Sequence, residues 1–360
     1  MSSRAAIRNE AARLRAGFET AGALPVETAI LQPAEVLLDL YGEDIRARAY
    51  VTSDALRGEQ MLRPDFTVPV VQMHMQHGAT PARYTYAGEV FRRQEDDPDR
   101  ANEYLQVGYE IFDKENPAEA DAEVFARIRA GLGDLPLRAA TGDIGVLLAA
   151  VTALRTTEQR RAALMRHIWR PRRFRALLDR FAGRTPPPAS RAAFLAEDGP
   201  FGDAPQIGLR SRAEIEERIA TLRADAVAEP IPEGDVLVID SILNVRETMP
   251  HALARLHDIT VDMPAIGTAV NRVEARMEAL ARCGIDVETL DFEASYGRSQ
   301  MEYYDGFVFG FYSESRPDLP AVATGGRYDA LTRVLGQGAE IPAVGGVIRP
   351  GLVVELGGGA

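Results

Sequence analysis

Two neighbouring stretches alternate apolar and polar residues with a period of two, which predicts the strands of a β-hairpin. The first covers residues 82–94 and the second 103–112, with the polar loop 95–102 between them. On the second strand Leu105, Val107, Tyr109 and Ile111 share a face that reads as core, while Gln106, Gly108 and Glu110 share the other. Gly88 and Arg92 share a face of the first strand in the same way. A polar pair flanking a glycine suggests the floor of a small-ligand site. The glycine leaves room, and the amide and carboxylate can grip an ammonium. The plainer reading is a half-exposed hairpin with a polar outer face.

Other periodicities fill in the chain. Residues 4–21 have helical composition, with Leu14 and Phe18 at helical spacing. Residues 27–31 read as a short strand ahead of Pro33, and 34–41 as a helix-like run. Residues 67–77 predict a helix with Pro69 in its first turn. Residues 117–132 predict another, with a proline near the start and acids in the first turn. A strand over 136–141 and a helix over 144–152 follow. From 153 to 232 the chain turns Arg- and Ala-rich, broken by a Thr-Pro-Pro-Pro run at 185–188 and a Gly/Pro-bearing stretch at 199–208. This predicts a mainly helical insertion, leaving 1–152 and 233–356 as the core.

Residues 236–240 read as a buried strand. Residues 268–282 read as an amphipathic helix with Val270, Val273, Met277 and Leu280 on one stripe. From 303 to 312 the residues alternate again. Tyr303, Asp305, Phe307, Phe309 and Phe311 oppose Tyr304, Gly306, Val308, Gly310 and Tyr312, and the two glycines open the second face as Gly108 does. Gly325-Gly326 is expected to turn the chain into a helix over 327–335, and 357–359 to be a frayed tail. Hairpins and meanders with few regular βαβ units predict an α+β fold with an antiparallel sheet flanked by helices.

Composition narrows the function. A 360-residue chain with 46% hydrophobic residues can bury a full core. No apolar run is long enough to span a bilayer, and the N-terminus lacks the apolar core of a signal peptide, so a cytoplasmic protein without a membrane partner is expected. The single Cys283 excludes an internal disulfide and reads as a core or helix-end residue. Five His and one Cys offer no metal-ligand spacing, and neither a metal nor a cofactor is expected. A net charge of −12 disfavours nucleic acid as a partner. Lys114 is the only lysine. Arg166, Arg170, Arg172, Arg173 and Arg175 cluster around Trp169, either as a surface for RNA or an acidic partner or as a solvated helical face.

Several segments, in order, resemble class II aminoacyl-tRNA synthetases of the histidyl form. Phe91-Arg92 followed by Leu-Gln-x-Gly-x-Glu at 105–110 is similar to motif 2. Leu62-Arg-Pro-Asp-Phe-Thr67 resembles the Leu-Arg-Pro-Glu-x-Thr stretch, and residues 302–309 resemble Asp-Tyr-Tyr-x-x-x-Val-Phe. Residues 324–329 resemble the histidyl Gly-Gly-Arg-Tyr-Asp motif, and Pro33 stands where motif 1 has its dimer-interface proline. The matches span about residues 20 to 350. The resemblance implies the class II synthetase-like catalytic fold and a histidine pocket. Gln106 and Glu110 match the residues that hold the ammonium. Thr67 matches the family's threonine, and Tyr304 and Tyr328 match tyrosines at the imidazole end. Arg92 matches the motif 2 arginine. Asp65 stands where the family has Glu, one methylene shorter. Alone, the two tyrosines would read as core packing.

The activation machinery departs from the pattern. Leu352 occupies the place of the motif 3 arginine that stacks on ATP. The place of the histidyl catalytic arginine falls on Ser299; Arg298 is one residue off, and on a strand that slip points it to the other face. Losing one oriented transition-state donor typically costs about 3–4 kcal/mol. The sequence stops just after the motif 3 region, so the family's anticodon-binding domain is expected to be absent. The loop Glu95, Asp96, Asp97, Pro98, Asp99, Arg100 would repel a tRNA backbone.

This combination resembles the regulatory subunits of short-form ATP phosphoribosyltransferase. That resemblance implies a non-catalytic chain that activates a catalytic subunit, forms a hetero-oligomer on a synthetase-like dimer, and helps confer histidine feedback on the first step of histidine biosynthesis. Two alternatives remain at this point: an amino-acid-activating ligase or histidyl-tRNA synthetase with an altered ATP site, and an RNA-binding sensor module using the Arg166–Arg175 cluster.

Overall fold

In a computed structural model, which describes residues 3–35, 49–94, 100–196, 207–298 and 303–357, the predicted hairpin lies within a nine-stranded sheet. Its strands are β1 (Leu24–Pro25), β5 (Ala82–Phe91), β6 (Glu103–Phe112), β7 (Leu137–Asp143), β8 (Arg246–Thr248), β9 (Asp291–Glu293), β10 (Phe307–Ser313), β11 (Ala323–Arg327) and β12 (Ala343–Ile348). Their order is β1-β5-β6-β12-β11-β10-β7-β9-β8; the β1–β5 and β7–β9 pairs are parallel and the rest antiparallel. A small second sheet joins β2 (Leu31–Pro33), β3 (Val51–Asp54) and β4 (Gly58–Leu62) in the order β2-β4-β3. The result is an α+β fold, as expected.

One face of the large sheet is the main core. Val107, Tyr109 and Ile111 of β6, Phe307, Phe309 and Phe311 of β10, and Val344 and Ile348 of β12 are buried together. Each such side chain taken from water contributes about 1.5–3 kcal/mol. Helix α1 (Arg4–Thr20) covers the β5–β6 end, and α3 (Pro117–Gly131) covers β6, β11 and β12. The Phe125 ring of α3 meets the Phe309 and Phe311 rings at 5.3 and 5.1 Å. On the opposite face, α2 (Thr67–His77) packs against α12 (Asp329–Leu335).

Between sheet and helices lies a buried ionic cluster. Asp121 of α3 accepts from Arg276 Nε at 2.8 Å and from Arg327 Nη2 at 2.7 Å. Arg276, on α11 (Gly267–Arg282), also lies 2.8 Å from Asp143 and stacks over Phe307. Arg327 donates to Asp329 at 3.0 Å.

The helices expected over 4–21, 67–77, 117–132, 144–152 and 268–282 are present: α4 is Ile144–Ala153 and α11 carries the anticipated stripe. Among the described residues, 153–232 are mainly helical, as α5 (Glu158–Arg166), α6 (Pro171–Phe181), α7 (Ala189–Ala196) and α8 (Arg212–Val227). Leu164, Phe174 and Leu178 of this segment join the main core. Cys283 caps the C-terminal end of α11 and is exposed. Among the described residues no helix is long and apolar enough to cross a membrane.

Four expectations fail locally. Residues 236–240 are not a strand but the middle of α9 (Glu233–Leu243), which buries Val236, Ile239 and Ile242 and leaves Leu237 exposed. That spacing is helical. Instead of one strand over 27–31, the chain makes short pairs at 24–25 and 31–33. Gly325-Gly326 lies inside β11, and the helix starts only at Asp329. The strand expected from 303 starts at Phe307. The helix-like run 34–41 lies outside the described residues beyond Glu35, as do residues 95–99 of the hairpin loop.

Candidate functional site

The second face of the sheet carries the site, and its register makes it glycine-rich. Glu110 lies opposite Gly345, which lies opposite Gly326; Gly108 lies opposite Val347, which lies opposite Thr324, which lies opposite Gly310. Above this face is a cavity of about 320 Å³, within the range of about 300–1,000 Å³ usual for small-molecule sites. Asp65, Thr67, Arg92, Gln106, Glu110 and Tyr304 all line it. Tyr328, the seventh residue proposed from sequence, stands behind the wall and donates its hydroxyl to Glu110 Oε2 at 2.6 Å. Tyr303, Tyr312, Thr324 and Arg349 line the cavity as well and were not anticipated.

Glu110 is the hub. Its Oε1 accepts from Tyr86 at 2.8 Å and from Thr67 at 3.2 Å. Burial pushes its carboxyl up to about 7, against the pull of the hydroxyls of Tyr328, Tyr86 and Thr67. The same burial and the nearby Glu110 raise the phenols of Tyr86, Tyr328 and Tyr304, which stay neutral, so Tyr86 and Tyr328 remain donors to Glu110.

The glycines of this face do not open space for a ligand, as the sequence had suggested. The Tyr86 ring fills the place above Gly108, Tyr296 that above Gly310, and Arg327 lies against Gly306. A Cβ at Gly326 would lie 2.7 Å from the Tyr304 ring, and one at Gly345 would overlap Glu110. Gly88 faces Arg63 and Phe66, not Arg92 or the cavity. The glycines instead admit the aromatic and acidic side chains that form the walls.

The 62–67 segment is locked from behind. Arg63 donates to the carbonyls of Glu89 at 2.8 Å and Thr28 at 2.6 Å, and its guanidinium lies over the Phe66 ring. Phe66 stacks on Tyr86 with ring centroids 4.3 Å apart. Arg92 Nε donates to the Pro64 carbonyl at 2.7 Å, which ties the end of the hairpin to the segment bearing Asp65 and Thr67. Gln106 is buried and its Oε1 has no hydrogen-bond partner. A buried acceptor left open costs about 1–3 kcal/mol, and an N–H donor from a ligand would satisfy it. On the far side, Asp305 accepts the backbone N–H groups of Asp329 at 3.0 Å and Ala330 at 2.6 Å. It thereby fixes the helix start next to Tyr328. Burial and Asp329 push its carboxyl up to about 7.

Arg298 does not reach the cavity. It is buried against the helical segment, with Nε donating to the Ile168 carbonyl at 2.7 Å and its guanidinium over the Phe174 ring. Burial, with Arg175 nearby, pushes it down to about 10. Ser299 lies outside the described residues. Leu352 packs against the main core from α13 (Pro350–Glu355). Of the basic cluster, Arg166, Arg170, Arg172 and Arg173 are exposed, and Arg175 pairs with Asp240. Trp169 Nε1 donates to the Tyr304 carbonyl at 3.2 Å, which connects that cluster to the cavity wall.

A mixed, mostly antiparallel sheet with this hairpin and this cavity defines a histidyl-tRNA synthetase-like protein of the class II fold. A family model described as histidyl-tRNA synthetase matches residues 2–199 and 210–350. A solved structure titled as an ATP phosphoribosyltransferase regulatory subunit/histidyl-tRNA synthetase from Bacillus halodurans C superposes with a TM-score of 0.68 at 21% identity, covering 98% of this chain and 78% of that one. A histidine–tRNA ligase subunit from Alicyclobacillus acidocaldarius does so with a TM-score of 0.60 at 22% identity, covering 99% and 95%. Regulatory subunits of ATP phosphoribosyltransferase from Brucella ovis and Brucella canis are each 32% identical over 342 residues, 89% of either chain. The chain belongs to the ATP phosphoribosyltransferase regulatory subunit family, a histidyl-tRNA synthetase-like branch of the class II synthetases.

Proposed function

We propose that this chain is a non-catalytic subunit that activates the catalytic subunit of a short-form ATP phosphoribosyltransferase and couples it to histidine bound in the cavity. One contrast carries this reading. The amino-acid lining is assembled around Glu110, while Arg298 is committed to Ile168 and Phe174, away from the cavity. In the pocket, the open Gln106 oxygen and Asp65 suit an ammonium, whereas Glu110, which the synthetase resemblance pairs with the ammonium, is ringed by the hydroxyls of Thr67, Tyr86 and Tyr328 and suits an imidazole N–H instead. Coupling then requires histidine to favour one state of the complex over another. We further propose that the chain works as a synthetase-like dimer within a hetero-oligomer, with residues 153–232 as a helical insertion on the core.

The test is reconstitution. Phosphoribosyl transfer to ATP by the catalytic subunit should rise when this chain is added and fall again with histidine. The Gln106→Ala/Glu110→Ala double variant should lose histidine binding. Unchanged titration heat in that variant would reject the pocket assignment, and an unchanged transfer rate would reject the subunit role. A second reading, an amino-acid-activating ligase, draws on Arg92 and Arg349, two guanidiniums in one cavity. Histidine-dependent ATP–pyrophosphate exchange by the purified chain would support it; none is expected.

A further inference from the structure

The cavity is bipolar. Strands β6 and β12 pair with Gly345 opposite Glu110 and Ile348 opposite Val107. Continuing that register brings Arg349 level with Gln106, on the face shared with Gly345 and Val347. Its guanidinium lines the cavity beside Arg92. Glu110 lies two register steps along β6 from Gln106, so the carboxylate and the Arg349 guanidinium stand at different levels of the same cavity.

Arg349 is held but not neutralised. Nη1 donates to the Ala321 carbonyl, and the Tyr104 hydroxyl lies near the guanidinium. Among the described residues no carboxylate pairs with it. Burial and the neighbouring Arg92 both lower its pKa, so an anion beside it would offset a half-buried like-charge pair. Arg92 is occupied in part by the Pro64 carbonyl. Arg349 lies three residues before Leu352, the place at which the synthetase resemblance expects an arginine, so no motif match assigns it a role.

We propose that Arg349 binds the α-carboxylate of the pocket's amino acid and makes the pocket select the free amino acid over its decarboxylated amine. The inference rests on the reading of the cavity as a histidine site. The amino acid then spans the cavity, with its ring at Glu110, its ammonium near Gln106 and Asp65, and its carboxylate on a planar guanidinium fork that can meet both oxygens.

Calorimetric titration of the full chain with L-histidine and with histamine tests this. Histamine should bind the wild type at least about tenfold more weakly, the range expected for one charge-assisted hydrogen bond. Arg349→Gln should lower L-histidine affinity by about tenfold to a hundredfold while leaving histamine within about twofold. Arg349→Lys should recover part of the loss. A wild type that binds histamine as tightly as L-histidine overturns the inference, and that comparison needs no variant. An unchanged ligand ratio in a folded Arg349→Gln overturns it too, while leaving the histidine pocket standing. A wild type that binds no histidine overturns both.

Discussion

Gly345 and Glu110 face each other across β12 and β6, and the glycine's missing side chain is the space that the glutamate's carboxylate occupies. Glu110 therefore depends on its neighbour having no Cβ. Gly345→Ala should push the carboxylate away from Tyr86, Tyr328 and Thr67. It should cost about 1–3 kcal/mol in urea unfolding, the usual range for overpacking. Histidine affinity should fall at least about tenfold by calorimetry.

The raised Glu110 carboxyl predicts a pH signature. Unfolded, the group ionises near 4.5; folded, near 7. Between those values the folded chain holds more protons, so stability falls as pH rises through this window and is level above it. The loss is on the order of 3 kcal/mol. Asp305 shifts in the same direction, so the comparison must isolate Glu110. The stability difference between wild type and Glu110→Gln should decline from pH 4.5 to 7; a difference flat across that window would contradict it.

Trp169 is the only tryptophan, and its indole N–H ends on the carbonyl of a cavity-lining residue. Histidine should therefore change the emission of Trp169 with the same midpoint that calorimetry gives. The Gln106→Ala/Glu110→Ala variant should show no such change. A binding signal in calorimetry without any emission change would mean that the wall at Tyr304 does not respond to the ligand.

The Arg276–Asp121–Arg327 cluster predicts the largest stability loss. Arg276→Leu leaves Asp143 without its charged neighbour and Asp121 with one arginine instead of two. Breaking a buried pair from one side typically costs 3–5 kcal/mol, so the unfolding free energy should fall by about that much, read as a lower urea midpoint with the slope unchanged.

Much of this architecture was legible in the sequence. The 82–91/103–112 hairpin and the helix Thr67–His77 followed from alternation and from Pro69 in a first turn, both local signals. Six of the seven candidate residues line one cavity, and the seventh hydrogen-bonds its hub. The misreadings share a cause. At 236–240, four consecutive apolar residues have no visible period, and only burial separates Ile239 from Leu237. At Gly108 and Gly310 the sequence marks an open position but not Tyr86 or Tyr296, the tyrosines that fill them. Arg349 carries no motif signal because its place in the cavity depends on register across β6, which motif spacing does not encode.

The glycine-paved face of the sheet has one more consequence. An alanine scan normally deletes groups, yet at Gly108, Gly310, Gly326 and Gly345 it would add one where Tyr86, Tyr296, Tyr304 and Glu110 already stand. Some of the most damaging changes to this cavity would thus fall on residues with no side chain to lose.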